Sequence, residues 1–321
     1  MTGLAIEAEN LTKAFKGTQA LRGVDLTVGT ASVCALLGRN GAGKTTLLRI
    51  LTTLLPADTG RARVAGFDVV RDPARIRARI GVTGQSATVD ELLTGRQNLE
   101  IVGSLFHLRR ADARARAEEV LDRFGLADAA DRLVRTYSGG MRRRIDLATS
   151  LVAAPPVLFL DEPTTGLDPI SREQVWKAIR ELVVESGSSV LLTTQYLDEA
   201  DRLADTVVVI DSGQVAASGT PSALKRRVGQ PRVRVVLRGD SGALSKVLAV
   251  LEPVGGVGQD GTVVVPAPDG LASLTDVADR LRALEDEVED VALAHPSLDE
   301  VFTALTDQPF VTAPSPLEIV T

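Results

Sequence analysis

A chain of 321 residues, 44% of them hydrophobic, has room for one large domain with a substantial core and a smaller domain beside it. Its formal net charge of −6 argues against nucleic acid as the main partner, since nucleic-acid binders present a basic domain. The single cysteine, Cys34, excludes a disulfide framework or a cysteine-based zinc site, and His107 and His295 lie too far apart for ligand spacing.

Taken in order, residues 4–9 alternate and read as a strand, and residues 20–28 as a second. Phe15, between them, could stack on an adenine ring or equally pack into the core. The apolar run Val33-Cys34-Ala35-Leu36-Leu37 reads as a buried strand. It runs directly into Gly38-Arg39-Asn40-Gly41-Ala42-Gly43-Lys44-Thr45-Thr46, and helical spacing follows through Leu51. Residues 56–60 form a turn, 63–66 a short strand, and 80–85 another strand ending on the polar Gln85. Helices are expected over 92–108 and 111–124, the second carrying a mixed-sign charge run that suits a solvated face. Strand character returns at 157–160, and then come a helix at 171–185, a strand at 189–194, a helix at 197–203 and a strand at 206–210. This alternation implies a mainly parallel sheet, interrupted by a helical insert over about 86–151. Residues 221–231 read as a helix and a boundary. Beyond it, strands at 233–237, 262–265 and 288–293 alternate with helices at 241–252 and 270–285, a small α+β unit. The tail from Gln308 has three prolines and no periodicity, so it is expected to be disordered. No basic stretch followed by an apolar one opens the chain, and no run reaches the ~18 apolar residues of a membrane span. A cytoplasmic location is expected, with any membrane supplied by a partner.

Residues 38–45 fit the phosphate-binding pattern G-x-x-x-x-G-K-[ST], with strand, loop and helix all in place. The glycines let successive N–H groups face an anion, and the helix N-terminus adds partial positive charge. Lys44 can reach the β- and γ-phosphates, and the Thr45 hydroxyl can ligate Mg²⁺. The strand ending in Asp161-Glu162-Pro163 delivers an acid suited to hold Mg²⁺ and a second carboxylate placed to take a proton from attacking water. In Tyr137-Ser138-Gly139-Gly140-Met141, Ser138 suits a helix N-cap and the glycines allow close approach of a phosphate.

Together these segments resemble the nucleotide-binding subunit of ATP-binding-cassette (ABC) transporters. Gly38–Thr45 looks like the Walker A loop, Gln85 like the Q-loop glutamine that contacts Mg²⁺, and Ser138-Gly139-Gly140 like the core of the signature. Asp161 and Glu162 are similar to Walker B and its catalytic glutamate, and Gly166-Leu167-Asp168 to the D-loop. The resemblance implies a P-loop NTPase core (an α/β fold) over 1–222 with a helical subdomain, and an accessory α+β domain over 223–307. It also implies ATP with Mg²⁺, bound between the Walker loops of one subunit and the signature of a second copy. Tyr137 and Met141 depart from the signature, and Arg39 from a position where proline is frequent. Gln195 stands where the family usually carries a switch histidine; its amide can still donate to a γ-phosphate but cannot titrate. Thr194-Gln195-Tyr196-Leu197-Asp198-Glu199-Ala200-Asp201, with Val89–Gly95 and Pro296–Phe302, narrows the likeness to the daunorubicin-resistance type. That type implies a separate integral-membrane permease, a position at the cytoplasmic face of the membrane, and export of a hydrophobic drug or secondary metabolite. The rival reading is a soluble ABC ATPase of DNA repair or translation. The 94 residues between Lys44 and Ser138 carry no heptads (138 − 44), and the chain holds one cassette and no zinc-module cysteines.

Overall fold

In the computed structural model, residues 3–84, 89–238, 241–259 and 261–306 are described; Gln85 and the tail from Gln308 lie outside them. The chain opens with two long antiparallel strands, β1 (Leu4–Phe15) and β2 (Thr18–Gly29), then β3 (Val33–Leu37) and α1 (Lys44–Leu51). Next come β4 (Thr59–Val64), β5 (Phe67–Asp68), α2 (Pro73–Arg77) and β6 (Ile80–Thr83). The helical stretch holds α3 (Gly95–Leu105), α4 (Arg110–Arg123) and α5 (Gly139–Leu151). After it run β7 (Val157–Asp161), α6 (Pro169–Ser186), β8 (Ser189–Thr194), α7 (Leu197–Leu203), β9 (Thr206–Asp211) and β10 (Gln214–Gly219).

Two sheets carry this part of the chain, one four-stranded in the order β2-β1-β4-β5, the other six-stranded in the order β10-β9-β3-β8-β7-β6. In the second, β9, β3, β8, β7 and β6 run parallel and only β10 is antiparallel. Every residue of β3, β7 and β8 is buried, as expected for strands covered on both faces. Leu47, Ile50 and Leu51 of α1 join Ile6 and Leu21 of the antiparallel sheet and Cys34, Phe159 and Leu191 of the parallel sheet in one core. Each such side chain contributes about 1.5–3 kcal/mol on burial, so the helix that carries the phosphate loop is held from both sides.

Several boundaries differ from the sequence expectation for identifiable reasons. The helix expected from Leu92 begins at Gly95, because Thr94 caps it: its Oγ1 accepts from Gln97 N at 3.1 Å while Gln97 Oε1 accepts from Thr94 N at 2.9 Å. The strand expected at 63–66 runs earlier, Thr59–Val64, and the chain turns at Ala65 (φ 50°) and Gly66 (φ 80°). β10 and α2 are additions. The charged face of α4 is only partly solvated: the Arg123 side chain is 14% exposed and bridges to Glu185 of α6 at 2.6 Å.

The chain divides into two compact units after Pro221. The second contains most of α8 (Pro221–Val228), β11 (Arg232–Leu237), α9 (Ser241–Leu251), β12 (Val257–Gln259), β13 (Thr262–Pro266), α10 (Leu271–Leu281), β14 (Val288–Ala294) and α11 (Leu298–Thr306). Its sheet has the order β12-β13-β11-β14, all antiparallel, and buries Val233, Val235, Val263 and Val265 against Val247, Leu251, Val277 and Leu281 of α9 and α10. Among the described residues, no helix is long and apolar enough to cross a membrane.

Candidate active site

The strand order β3-β8-β7 sets the carboxyl ends of three buried parallel strands side by side, where α/β sheets bind their ligands. From β3 issues the glycine loop. At Gly38 a Cβ would sit 2.4 Å from the Ile210 carbonyl oxygen, and at Gly43 (φ 108°) 2.6 Å from that of Ala20, so neither position admits a side chain. Gly41 (φ 84°) has nothing within 4 Å of its Cβ position and leaves the loop open on its outer side. Lys44 is 5% exposed, and its Nζ donates to the carbonyl oxygens of Gly38 at 2.6 Å and Arg39 at 3.2 Å. Burial pulls its pKa below the ordinary lysine value, with the charges of Glu162 and Asp161 opposing the shift. Desolvation outweighs the two acids, so the ammonium gains from an anion delivered to the loop.

From β7 come the acids. Asp161 is 4% exposed; its Oδ1 accepts from the Thr193 hydroxyl at 2.5 Å and its Oδ2 from the Thr45 hydroxyl at 3.3 Å. Two of the three residues read as Mg²⁺ ligands, Thr45 and Asp161, therefore touch. One carboxylate and one hydroxyl, completed by substrate phosphate and water, is the donor set Mg²⁺ ordinarily takes, and the residues fit it. At Glu162 the backbone turns out of the strand into the left-handed region (φ 49°), a conformation that costs a non-glycine residue about 1–3 kcal/mol. Its N–H donates to the carbonyl and hydroxyl oxygens of Thr193, both at 3.1 Å, and its Oε2 accepts from the Thr165 hydroxyl at 3.2 Å. The turn brings Glu162 to a cleft of 340 Å³ lined also by Ala20, Arg39, Asn40, Gly41, Gly43, Lys44, Thr45 and Thr46.

Of the remaining sequence candidates, Ser138, Gly139, Gly140, Asp168, Gln195 and Phe15 are not among the residues that line that cleft. Ser138 caps α5, its Oγ accepting from Met141 N at 3.3 Å, and it is exposed along with Gly139. Gly140 faces the D-loop, with its Cβ position 3.9 Å from Asp168 Oδ2. Asp168 caps α6: the Ser171 hydroxyl and N–H donate to it at 2.6 and 2.9 Å and lower its pKa. Tyr137 is buried and donates to the Ala129 carbonyl at 2.7 Å, so its departure from the signature serves packing. Gln195 follows the last residue of β8 and is half-buried. Phe15 is 44% exposed beneath the Lys13 ammonium, which excludes the core-packing alternative. Gln85 is among the residues not described.

Two residues bonded to the acids, and a buried carboxylate apart from them, were missed in the sequence. Thr193 bonds both Asp161 and Glu162. Arg143 of α5 donates to four carbonyl oxygens around them. Glu199, fully buried in α7, accepts from Thr164 Oγ1 at 2.8 Å and Trp176 Nε1 at 3.1 Å, and burial raises its pKa above the usual carboxylate range.

The ABC transporter family model matches residues 21–165, a span that runs from β2 past Asp161 and Glu162. The chain is 54% identical to the daunorubicin resistance ATP-binding protein DrrA2 of Streptomyces coeruleorubidus, over 95% of this chain and 96% of that one. This chain belongs to the ABC transporter ATP-binding subunits of the daunorubicin-resistance type. It is likewise 49% identical to the daunorubicin/doxorubicin resistance ATP-binding protein DrrA of Streptomyces peucetius, over 95% and 93% of the two chains. The solved dimeric structure of MJ0796, a bacterial ABC transporter cassette, superposes with a TM-score of 0.62 at 25% identity, covering 67% of this chain and 98% of that one. The ABC subunit thus has the P-loop ATPase fold and is an ATP-hydrolysing enzyme; the similarity to the two resistance proteins extends through its second unit.

Proposed function

We propose that this ABC subunit powers efflux of a hydrophobic drug or secondary metabolite through a separate integral-membrane permease, against whose cytoplasmic side it works. The observation that carries the catalytic part is the meeting of Lys44, Thr45, Asp161 and Glu162 at the ends of β3 and β7. The drug-export part is supported by the resistance proteins to which nearly the whole chain is similar. A repair or translation role has no such support.

In this reading the loop 38–46 cradles the phosphates of ATP and Lys44 spans the β- and γ-phosphates. Thr45 and Asp161, together with Gln85, would hold Mg²⁺, which would draw charge off the phosphate oxygens. Glu162 accepts a proton from water as its oxygen attacks the γ-phosphorus; the bond to the bridging oxygen breaks, giving ADP and phosphate. General-base action of this kind is worth about 10²–10⁴-fold. Gln195 donates to the γ-phosphate, and Phe15 offers its exposed face to adenine. Ser138, Gly139 and Gly140 of a second copy close the site, with Asp168 at the seam, so the working form is a homodimer around two ATP molecules.

Glu162→Gln tests the assignment. With the permease present it should keep MgATP binding, lose at least about 100-fold in turnover, and hold ATP-loaded dimers together on size exclusion. Cells carrying the variant with the permease should accumulate daunorubicin. Near-normal hydrolysis sinks the catalytic reading; normal hydrolysis by the wild type with no effect on drug accumulation sinks the cargo.

A further inference from the structure

The signature helix reaches the catalytic acids of its own subunit through one side chain. Arg143 of α5, 14% exposed, donates Nη2 to the Asp161 and Glu162 carbonyl oxygens at 3.1 and 2.7 Å and Nε to the Pro163 carbonyl at 3.0 Å. Its Nη1 donates to the Gly84 carbonyl at 3.0 Å, and Asp146 on the same helix, its side chain 1% exposed, lies 3.5 Å away as counter-charge.

Three successive carbonyls cannot face one donor group from a regular strand, because the pleat points them alternately to opposite sides. They converge here because the chain leaves the strand at Glu162, whose φ of 49° is one that residues with a side chain rarely adopt. The guanidinium therefore bonds a backbone shape that the isolated strand would abandon. Only a planar fork of five donors fits these acceptors; a lysine ammonium has three donors and no fixed plane.

We propose that Arg143 is a positioning residue for hydrolysis, holding the turned backbone at Asp161–Pro163 so that the Glu162 carboxylate stays aimed into the nucleotide cleft. This rests on Glu162 as the general base. A base displaced by a fraction of an ångström loses rate with little loss of substrate binding, because the phosphate loop is a separate element.

The test uses the full chain with Arg143→Lys and Arg143→Ala, each assayed for ATP turnover alone and combined with Glu162→Gln. Arg143→Lys keeps the charge beside Asp146 and serves where Arg143→Ala folds poorly. Expected are a kcat at least about tenfold lower with KM for MgATP nearly unchanged, partial recovery of Arg143→Ala by added methylguanidinium, and no further loss when either variant is placed on Glu162→Gln. Wild-type kcat in Arg143→Lys, a loss confined to KM, or a loss that adds fully to that of Glu162→Gln overturns the proposal. Glu162→Gln separates the two levels. If that variant turns over normally, the base itself is misassigned; if it is inactive while Arg143→Lys is fully active, only the positioning role fails.

Discussion

Thr193→Val removes the one hydroxyl that, among the described residues, bonds to both Asp161 and Glu162. Thr193 is fully buried, donates to Asp161 Oδ1 at 2.5 Å and accepts from Glu162 N at 3.1 Å. Valine fills nearly the same volume, so no cavity opens. Glu162 N keeps the Thr193 carbonyl as acceptor at 3.1 Å, so the loss falls on the Asp161 carboxylate. Among the described residues, that carboxylate then retains only the longer side-chain bond from Thr45 at 3.3 Å. A hydrogen bond to a charged group contributes about 1.5–3 kcal/mol. At about 2–4 °C per kcal/mol for a unit of this size, a central loss of about 2 kcal/mol lowers Tm by about 4–8 °C. A less restrained Asp161 should also raise severalfold the Mg²⁺ concentration needed for half-maximal hydrolysis. Calorimetry of the purified chain and ATPase rates across a Mg²⁺ titration measure the two effects. An unshifted Tm together with an unchanged Mg²⁺ dependence would refute the idea that this hydroxyl holds the acid in place.

Two further outcomes are expected. Lys44→Ala should lose MgATP affinity and Ser138→Arg should keep it; mixed with one another, the two inactive proteins should regain turnover, since the mixed dimer retains one intact composite site. A mixture no better than its parents counts against a site shared between copies. Glu199→Gln addresses pH: burial raises the Glu199 carboxyl pKa in the fold, so its contribution is full below the unfolded value of about 4.3 and is lost as pH rises through the folded pKa. Glutamine still accepts from Thr164 and Trp176 without ever charging, so the Tm of the variant relative to wild type should climb from acid toward neutral pH. A difference constant across pH would exclude a buried titrating carboxyl.

The phosphate loop and the Asp161-Glu162 pair were legible because each is a short local pattern, glycines before Lys44 and four apolar residues before the acids. Thr193, Arg143 and Glu199 were not. Thr193 meets the acids only because β8 lies between β3 and β7, a neighbourhood that no local window contains. Arg143 sat in a run of three arginines, Arg142 to Arg144, that sequence alone gives no means of ranking. The start of α3 was misplaced although Thr94 and Gln97 spell a capping box, because apolar residues continue the helical period back to Leu92. β10 was missed for the opposite reason: Gln214-Val215-Ala216-Ala217-Ser218-Gly219 is an edge strand with little apolar alternation, held by its pairing with β9.

Cys34 lies within β3, 1% exposed, and burial pushes its thiol up to about 12. It is the only cysteine in the 321 residues. Neither condition for alkylation, thiolate character or access, is met in the folded chain at neutral pH. The natural sequence consequently serves as its own silent background for site-directed labelling. A dye or spin label attached to a newly introduced cysteine reports from that position alone, and distances between two copies can be followed through a turnover cycle without first engineering the native sulfur away.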